Sequence, residues 1–328
     1  MRILRTEERA GRKLIGTHFV KLAAIAALIL SMFAGSTPAS DENSKSSGEV
    51  PVRMVVTAKP HRDGAQVPAI GLNDVKVFQS DKENRVTSWI PMQGDRAGLE
   101  LFIVIDDSSR TNLGLQLDSI KQFIEAQPPT TAIGVGYMRN GTVFTVQNLT
   151  TDHASAAKSL RLPIGTAADN SPYLSVTDLM KKWPVSENRR EILMITSGVD
   201  ALDGNPFSNP YLDAAAERAQ RGGFIIYSIY TPGEGFAGRG RFRTNLAQTG
   251  LEILSQKTGG ETYYLGFGPP VNITPYLQDI GHRLRNQYEL TFLTKGAKKP
   301  SLERVKVKTE TPNIGLTAAE QGYVGTGM

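Results

Sequence analysis

The chain has 328 residues, 40% of them hydrophobic and 21% charged, which is enough apolar material for one large domain with a smaller module beside it. It contains no cysteine, so disulfides, thiolate nucleophiles and sulfur-ligated metals are excluded, and only oxygen or histidine ligands remain. The formal charge is +5, but residues 1–39 hold six Lys/Arg and two Asp/Glu; without them it falls to +1, so nothing in the remainder argues for nucleic acid.

Basic residues from Arg2 to Lys21, the apolar stretch Leu22 to Phe33 and the small residues that follow form the pattern of an export signal over residues 1–39. The apolar stretch is short for a membrane span. The expected location is therefore periplasmic or secreted, and contact with a membrane is expected only if this segment stays uncleaved as an anchor. Residues 40–50 are polar and read as a linker.

Residues 51–98 follow as an N-terminal β segment, with short valine-rich runs at Val52 to Lys59, Val75 to Gln79 and Val86 to Ile90. By themselves these strands are too few to bury a core. From residue 99 to residue 286 the pattern becomes strand, helix, strand. Leu99 to Ile105 is apolar apart from Glu100, as in a strand covered on both faces. A helix with Leu117, Ile120, Phe123 and Ile124 on one side follows and stops at Pro128-Pro129.

Asn140-Gly141 predicts a hairpin between the runs Ala132 to Arg139 and Thr142 to Gln147. Ser171-Pro172 predicts a capped helix start. Strands are expected at Glu191 to Thr196, Phe224 to Tyr230 and Glu261 to Leu265, with helices at Pro210 to Arg221 and Thr244 to Lys257, both closed by glycine pairs. A last helix opens at Thr274-Pro275, and residues 287–328 form a C-terminal β segment. This succession predicts an α/β fold, a doubly wound and mostly parallel sheet with one antiparallel edge strand, plus a small β module made by the N- and C-terminal flanks.

In such sheets ligands bind beyond the carboxyl ends of the strands, at the switch in strand order. Two strands end there in oxygen-rich turns: Asp106-Asp107-Ser108-Ser109-Arg110-Thr111 after the first, and Thr196-Ser197-Gly198-Val199-Asp200 after the central one. A carboxylate and hydroxyls delivered to the turn before a helix can hold a cation or a phosphate.

These residues resemble a von Willebrand factor type A domain, in particular the exported VWFA-related proteins of acidobacterial type. The resemblance runs from about residue 50 to residue 325 and includes Arg285-Asn286-Gln287-Tyr288 and the terminal Gly322-Tyr323. It implies the sheet described above and a non-catalytic, protein-binding role. The family's metal-ion-dependent adhesion site combines Asp-x-Ser-x-Ser, a threonine from a second loop, and Thr-Asp-Gly. A Mg2+ or Mn2+ held there by hard oxygens keeps one position open for an acidic side chain of a protein partner.

Asp106 and Ser108 fill the first two positions, whereas Arg110 stands where a hydroxyl is expected and Ser197 where the second aspartate is expected. Thr166 and Ser171 are the candidates for the second-loop hydroxyl. A guanidinium about 4 Å from Asp106 would attract it by about 4 kcal/mol at an effective dielectric of about 20, which offers a substitute for the cation. An alternative register, Asp107-x-Ser109-x-Thr111, keeps both hydroxyls; the two are mutually exclusive, because one residue of shift exchanges the faces of the strand. A third reading needs no metal: Asp106, Ser108 and Ser197 bond one another and cap the first helix.

Partner contacts are expected from Arg110, Ser171, Ser197 and Asp200, although Asp200 and Asp203 also suit a solvated turn. His18, His61, His153 and His282 lack metal spacing. Gly233 to Arg243, with three arginines among glycines, reads as a surface excursion. A rival class is a haloacid-dehalogenase-type phosphatase or phosphotransferase using Asp106 as nucleophile, since strands ending in Asp106 and Thr196 resemble its first two motifs. Ser108 then occupies the place of the general acid. The remaining alternative is a structural envelope protein with a vestigial crevice.

Overall fold

The computed structural model describes residues 48–327 apart from 63, 110, 166–170, 234–239 and 265, with backbone alone at 111 and 112. The export signal, most of the linker, Arg110, Thr166 and Arg239 lie outside the described residues, as does the side chain of Thr111. No helix among the described residues is long and apolar enough to cross a membrane.

The chain enters through β1 (Glu49–Pro60), β2 (Val75–Gln79), β3 (Lys82–Asn84) and β4 (Val86–Pro91). It then builds β5 (Leu99–Asp106), α1 (Leu117–Glu125), β6 (Thr131–Arg139), β7 (Thr142–Thr150), α2 (His153–Lys158), α3 (Pro172–Lys182) and β8 (Arg189–Thr196). After these come α4 (Pro210–Gly222), β9 (Phe224–Tyr230), α5 (Arg241–Thr258), β10 (Thr262–Tyr263) and α6 (Thr274–Arg285). The chain closes with β11 (Gln287–Lys295), β12 (Ser301–Arg304), β13 (Lys306–Thr309), β14 (Ile314–Ala318) and β15 (Gln321–Val324).

The central sheet has the order β10-β9-β8-β5-β6-β7 and is parallel except for β7, which folds back antiparallel on β6. This is the predicted doubly wound sheet with one antiparallel edge. All of β5 is buried because helices cover both of its faces. Leu101, Ile103 and Ile105 pack with Ile120 and Ile124 of α1 and Leu277 and Ile280 of α6. Phe102 and Val104 pack on the other face with Val176 of α3, Leu212 of α4 and Leu251 of α5.

Local punctuation follows the chemistry of the turn residues. Asn140 and Gly141 both have positive φ (53° and 68°), the requirement of the tight turn between β6 and β7. The Ser171 hydroxyl caps α3 from in front of Pro172, and Gly223 ends α4 at φ 65°. One expected feature is absent: α1 starts at Leu117 behind Gln116, which makes no side-chain cap, so neither Asp106, Ser108 nor Ser197 caps the first helix. A stretch of 3-10 helix, Thr111–Gln116, separates them from it.

The flanks meet as one β module. β1 pairs antiparallel with β11 from Glu49↔Lys295 to Thr57↔Gln287, inside a sheet of order β14-β1-β11-β4. A second sheet, β13-β2-β3, shares its core with Val52, Val56, Val77, Leu290 and Phe292. Trp89 stacks on Tyr288 at 4.4 Å and donates its indole N–H to the Ile70 carbonyl at 3.1 Å. The opposite face of β1 and β11 turns towards the α/β sheet: Val55 packs on the first core, and the buried Gln287 amide donates to Thr57 at 3.3 Å and Tyr227 at 3.4 Å.

Candidate functional site

β5 lies between β8 and β6, so strand order reverses beside it and a crevice forms above its carboxyl end. Alternation along β5 places Asp106 on the face of the sheet that carries Phe102 and Val104 and Asp107 on the opposite face, that of Ile105 and Tyr137. Each carboxylate then meets a different environment.

Asp106 is fully buried. Its Oδ1 accepts the Ser108 backbone N–H at 2.9 Å and the Ser108 hydroxyl at 2.6 Å, a local turn that folds residues 107 and 108 over the strand end. Its Oδ2 accepts the Thr196 hydroxyl at 2.9 Å and, at 3.4 Å each, the backbone N–H and hydroxyl of Ser197. Thr196 is joined to the next turn by the Gly198 N–H, which donates to its hydroxyl at 3.0 Å. Asp106, Ser108, Thr196 and Ser197 therefore form a single network across the switch point.

Asp107 is just as buried, and its carboxylate is gripped in bidentate fashion by Arg161 at 2.7 and 2.9 Å. The guanidinium lies 3.7 Å from the Tyr137 ring, and the Tyr137 hydroxyl both donates to the Arg161 carbonyl and accepts its N–H. Hydrogen bonding to Asp107 raises the pKa of Arg161, while burial raises that of Tyr137. The Ile164 and Gly165 N–H groups also bond Asp107, at 3.3 and 2.9 Å, which pins the start of the loop leading to Thr166.

β5 ends at Asp106, opposite Met138, and of the two registers it is Asp106 that joins the second oxygen-rich turn. Ser109 lies buried, with its hydroxyl unpartnered among the described residues. Ser171 is committed to α3, its hydroxyl accepting the Leu174 N–H at 3.3 Å. Asp200 accepts the Leu202 N–H at 2.9 Å and the Asn209 amide at 3.0 Å, so it braces the loop before α4. Asp203 closes a turn on the Asn205 N–H at 3.0 Å. His153 meets the Thr131 carbonyl at 2.8 Å and His282 lies 3.3 Å from an Arg285 nitrogen.

Reasoning from the sequence missed Arg161 and Tyr137 because they lie far along the chain from Asp107 and belong to no motif. An isolated arginine after a short helix carries no signal until the fold brings it to the carboxylate.

The donor set fits a resident dication poorly. Asp106 is its one carboxylate, both oxygens already accept hydrogen bonds from protein donors, and Ser197 supplies a donor where a second carboxylate would supply charge. Among the described residues no group of three or more His, Asp or Glu could hold a metal ion.

No protein-family model matches this chain, and no curated protein matches it. Solved structures align at low identity. BatB from Bacteroides thetaiotaomicron does so at a TM-score of 0.42 and 16% identity, over 57% of this chain and 97% of that one. An aerotolerance-related membrane protein from Bacteroides fragilis gives 0.42 and 17%, over 57% and 98%. The VWA domain of SpRpn10 gives 0.37 and 14%, over 55% and 94%. The α/β unit has the sheet order, the helices on both faces and the antiparallel edge that the resemblance to a von Willebrand factor type A domain implies.

Proposed function

We propose that the protein is an exported, non-catalytic module that binds a protein partner across the carboxyl edge of its central sheet, without a bridging cation. The observation that carries this reading is a rim of exposed apolar side chains around a carboxylate that the protein itself has saturated. Leu115 after β5 is 83% exposed, Phe207 after β8 76%, Phe242 after β9 77% and Val271 after β10 97%. Large apolar side chains grouped on one end of a molecule mark a contact surface, whereas scattered ones need no explanation.

Contacts between loops tie parts of the rim together. The Gln116 amide ties the turn after Leu115 to the Val271 carbonyl at 3.0 Å, and its oxygen accepts the Ile273 N–H at 3.1 Å. The Leu162 side chain, half exposed, lies against Gly114. Gln248 of α5 donates to the Gly266 carbonyl at 2.7 Å, tying the loop after β10 to the helix that begins beside Phe242.

The same geometry argues against a nucleophile at Asp106. A carboxylate without solvent exposure, held on both oxygens, presents no lone pair to a phosphate ester, and Ser108 beside it supplies no general acid. Export rests on the basic, apolar and small-residue succession of residues 1–39.

The test is capture of partners by the full chain from envelope extract of its own source, with chelator and with added Mg2+ or Mn2+. Capture is expected to be equal in both and lost when Phe207 and Phe242 are changed to serine. Capture that requires the dication would restore the adhesion-site mechanism. Capture unaffected by the rim substitutions would remove the proposed surface.

A further inference from the structure

At the amino edge of the central sheet, the end opposite Asp106, the outer face of β1 and β11 meets the first residues of β8 and β9. The inner part of this seam is closed. Arg189 donates to the carbonyls of Ala97 at 3.0 Å and Leu284 at 2.8 Å and to the side chain of Gln287. Outside this seal the seam opens into a cleft of about 360 Å³, lined from the module by Arg53 and Glu289 and from the α/β unit by Arg190, Arg221 and Phe224. Its size is that of a small-molecule pocket, and its position between two packed units is a usual one for such pockets.

The arginines of this cleft are underused. Arg190 is half-buried, with its guanidinium 5.0 Å from the Phe224 ring, and has no carboxylate or side-chain hydrogen-bond partner among the described residues. Arg53 reaches Glu289 only at 3.8 Å, and Glu289 is shared with Arg96 at 3.6 Å. Arg221 closes the far side, 5.7 Å from the Tyr323 ring and bonded to Glu217 at 2.9 Å. Four arginines, including Arg189, face two glutamates, Glu187 and Glu289, along the lining. A half-desolvated guanidinium with its N–H fork unmet is matched by an oxyanion, which takes two parallel hydrogen bonds from it.

We propose that this cleft binds a small organic anion, with a carboxylate or phosphate between Arg190 and Arg53 and its apolar body against Phe224 and Met92. The site is independent of the partner surface at the other end of the sheet. Phe224 makes it specific for more than charge: the ring holds the Arg190 fork in place and supplies the apolar wall.

The experiment uses the full chain at constant ionic strength, titrated with citrate, with inorganic phosphate and with chloride as the control, followed by thermal shift and calorimetry. A saturable rise in Tm is expected with citrate or with phosphate, and which of the two produces it tells a carboxylate ligand from a phosphate one. Arg190→Met is expected to weaken it at least about tenfold, the size of one charge-assisted hydrogen-bonded contact. Arg53→Met, at an exposed position where folding is not at stake, should weaken it as well, whereas Lys121→Met on α1 should leave it unchanged. A shift that chloride reproduces, no shift with either anion, or binding that survives both arginine substitutions would overturn the proposal.

Discussion

Glu191 is a buried carboxylate with no well-formed hydrogen bond to either oxygen among the described residues, and burial pushes its pKa up to about 7 against the opposing pull of the Arg189 guanidinium and of the neighbouring Gln287 and Tyr227 side chains. In the unfolded chain the same group titrates near 4.5. Between these values the native state holds a proton that the unfolded state has released, so the contribution of Glu191 to stability is fully present below about pH 4.5 and is lost as pH rises through about 7. A separation of about 2.5 pK units corresponds to about 3 kcal/mol, the cost of ionising this side chain inside the fold. Glu191→Gln keeps the shape and removes the ionisation. Urea denaturation of both forms between pH 5 and pH 8 should find them alike at the acid end, with the glutamine form more stable by up to about 3 kcal/mol at pH 8. The difference between the two profiles isolates this one group from the histidines. If Glu191 and Arg189 instead stabilise the seam as an ion pair, glutamine would leave a buried guanidinium uncompensated and lower stability at pH 8, which would refute the reasoning.

Three further substitutions probe the carboxyl edge. Ser197→Asp would place a second carboxylate about 4 Å from Asp106, a repulsion of about 4 kcal/mol at an effective dielectric of about 20; the variant should melt lower in chelator and recover with Mn2+, as read by thermal shift. Gly198→Ala forces a side chain onto a residue at φ 68° whose Cβ would lie 2.7 Å from Leu251 and 2.9 Å from the Ala247 carbonyl, and should cost about 2 kcal/mol or more in chemical denaturation. Arg161→Met strands the buried Asp107; because the guanidinium is more than a third exposed, the expected loss is held to about 2 kcal/mol, measured by the same denaturation.

The central sheet was legible because its strands are uninterrupted apolar runs ended by residues with turn chemistry. Leu99 to Ile105, Asn140-Gly141, Ser171-Pro172 and Gly222-Gly223 each name their own local structure, and the fold uses them as they read. The same uniformity hid the register of the site. A strand apolar on both faces offers no alternation from which to phase Asp106 against Asp107, and the phase is fixed from outside by Thr196 on one neighbour and by Arg161 and Tyr137 on the other side. The helix α2 was missed because its six residues, His153 to Lys158, are too few to show a periodic apolar face; it is held by Asp152, which accepts from both the N–H and the hydroxyl of Ser155. That the two flanks form one β module followed from each being too small alone, but the pairing of β1 with β11 did not, because it joins residues more than two hundred positions apart, a distance over which no local pattern speaks.

The serine at 197, where the adhesion-site pattern has aspartate, acquires a physical meaning from these contacts. A buried carboxylate must be neutralised or surrounded by donors, and two of them side by side call for a cation. With serine at 197 the need disappears: Oδ2 of Asp106 is met by Thr196 and Ser197, Oδ1 by Ser108, and the crossing from β5 to β8 is closed by hydrogen bonds that a dication would have to break. The carboxylate then serves to hold the two turns together. On the reading proposed above, a partner meets the exposed side chains that follow these turns in the chain, Leu115 and Phe207, and the dication of the adhesion-site pattern has no place between the turns.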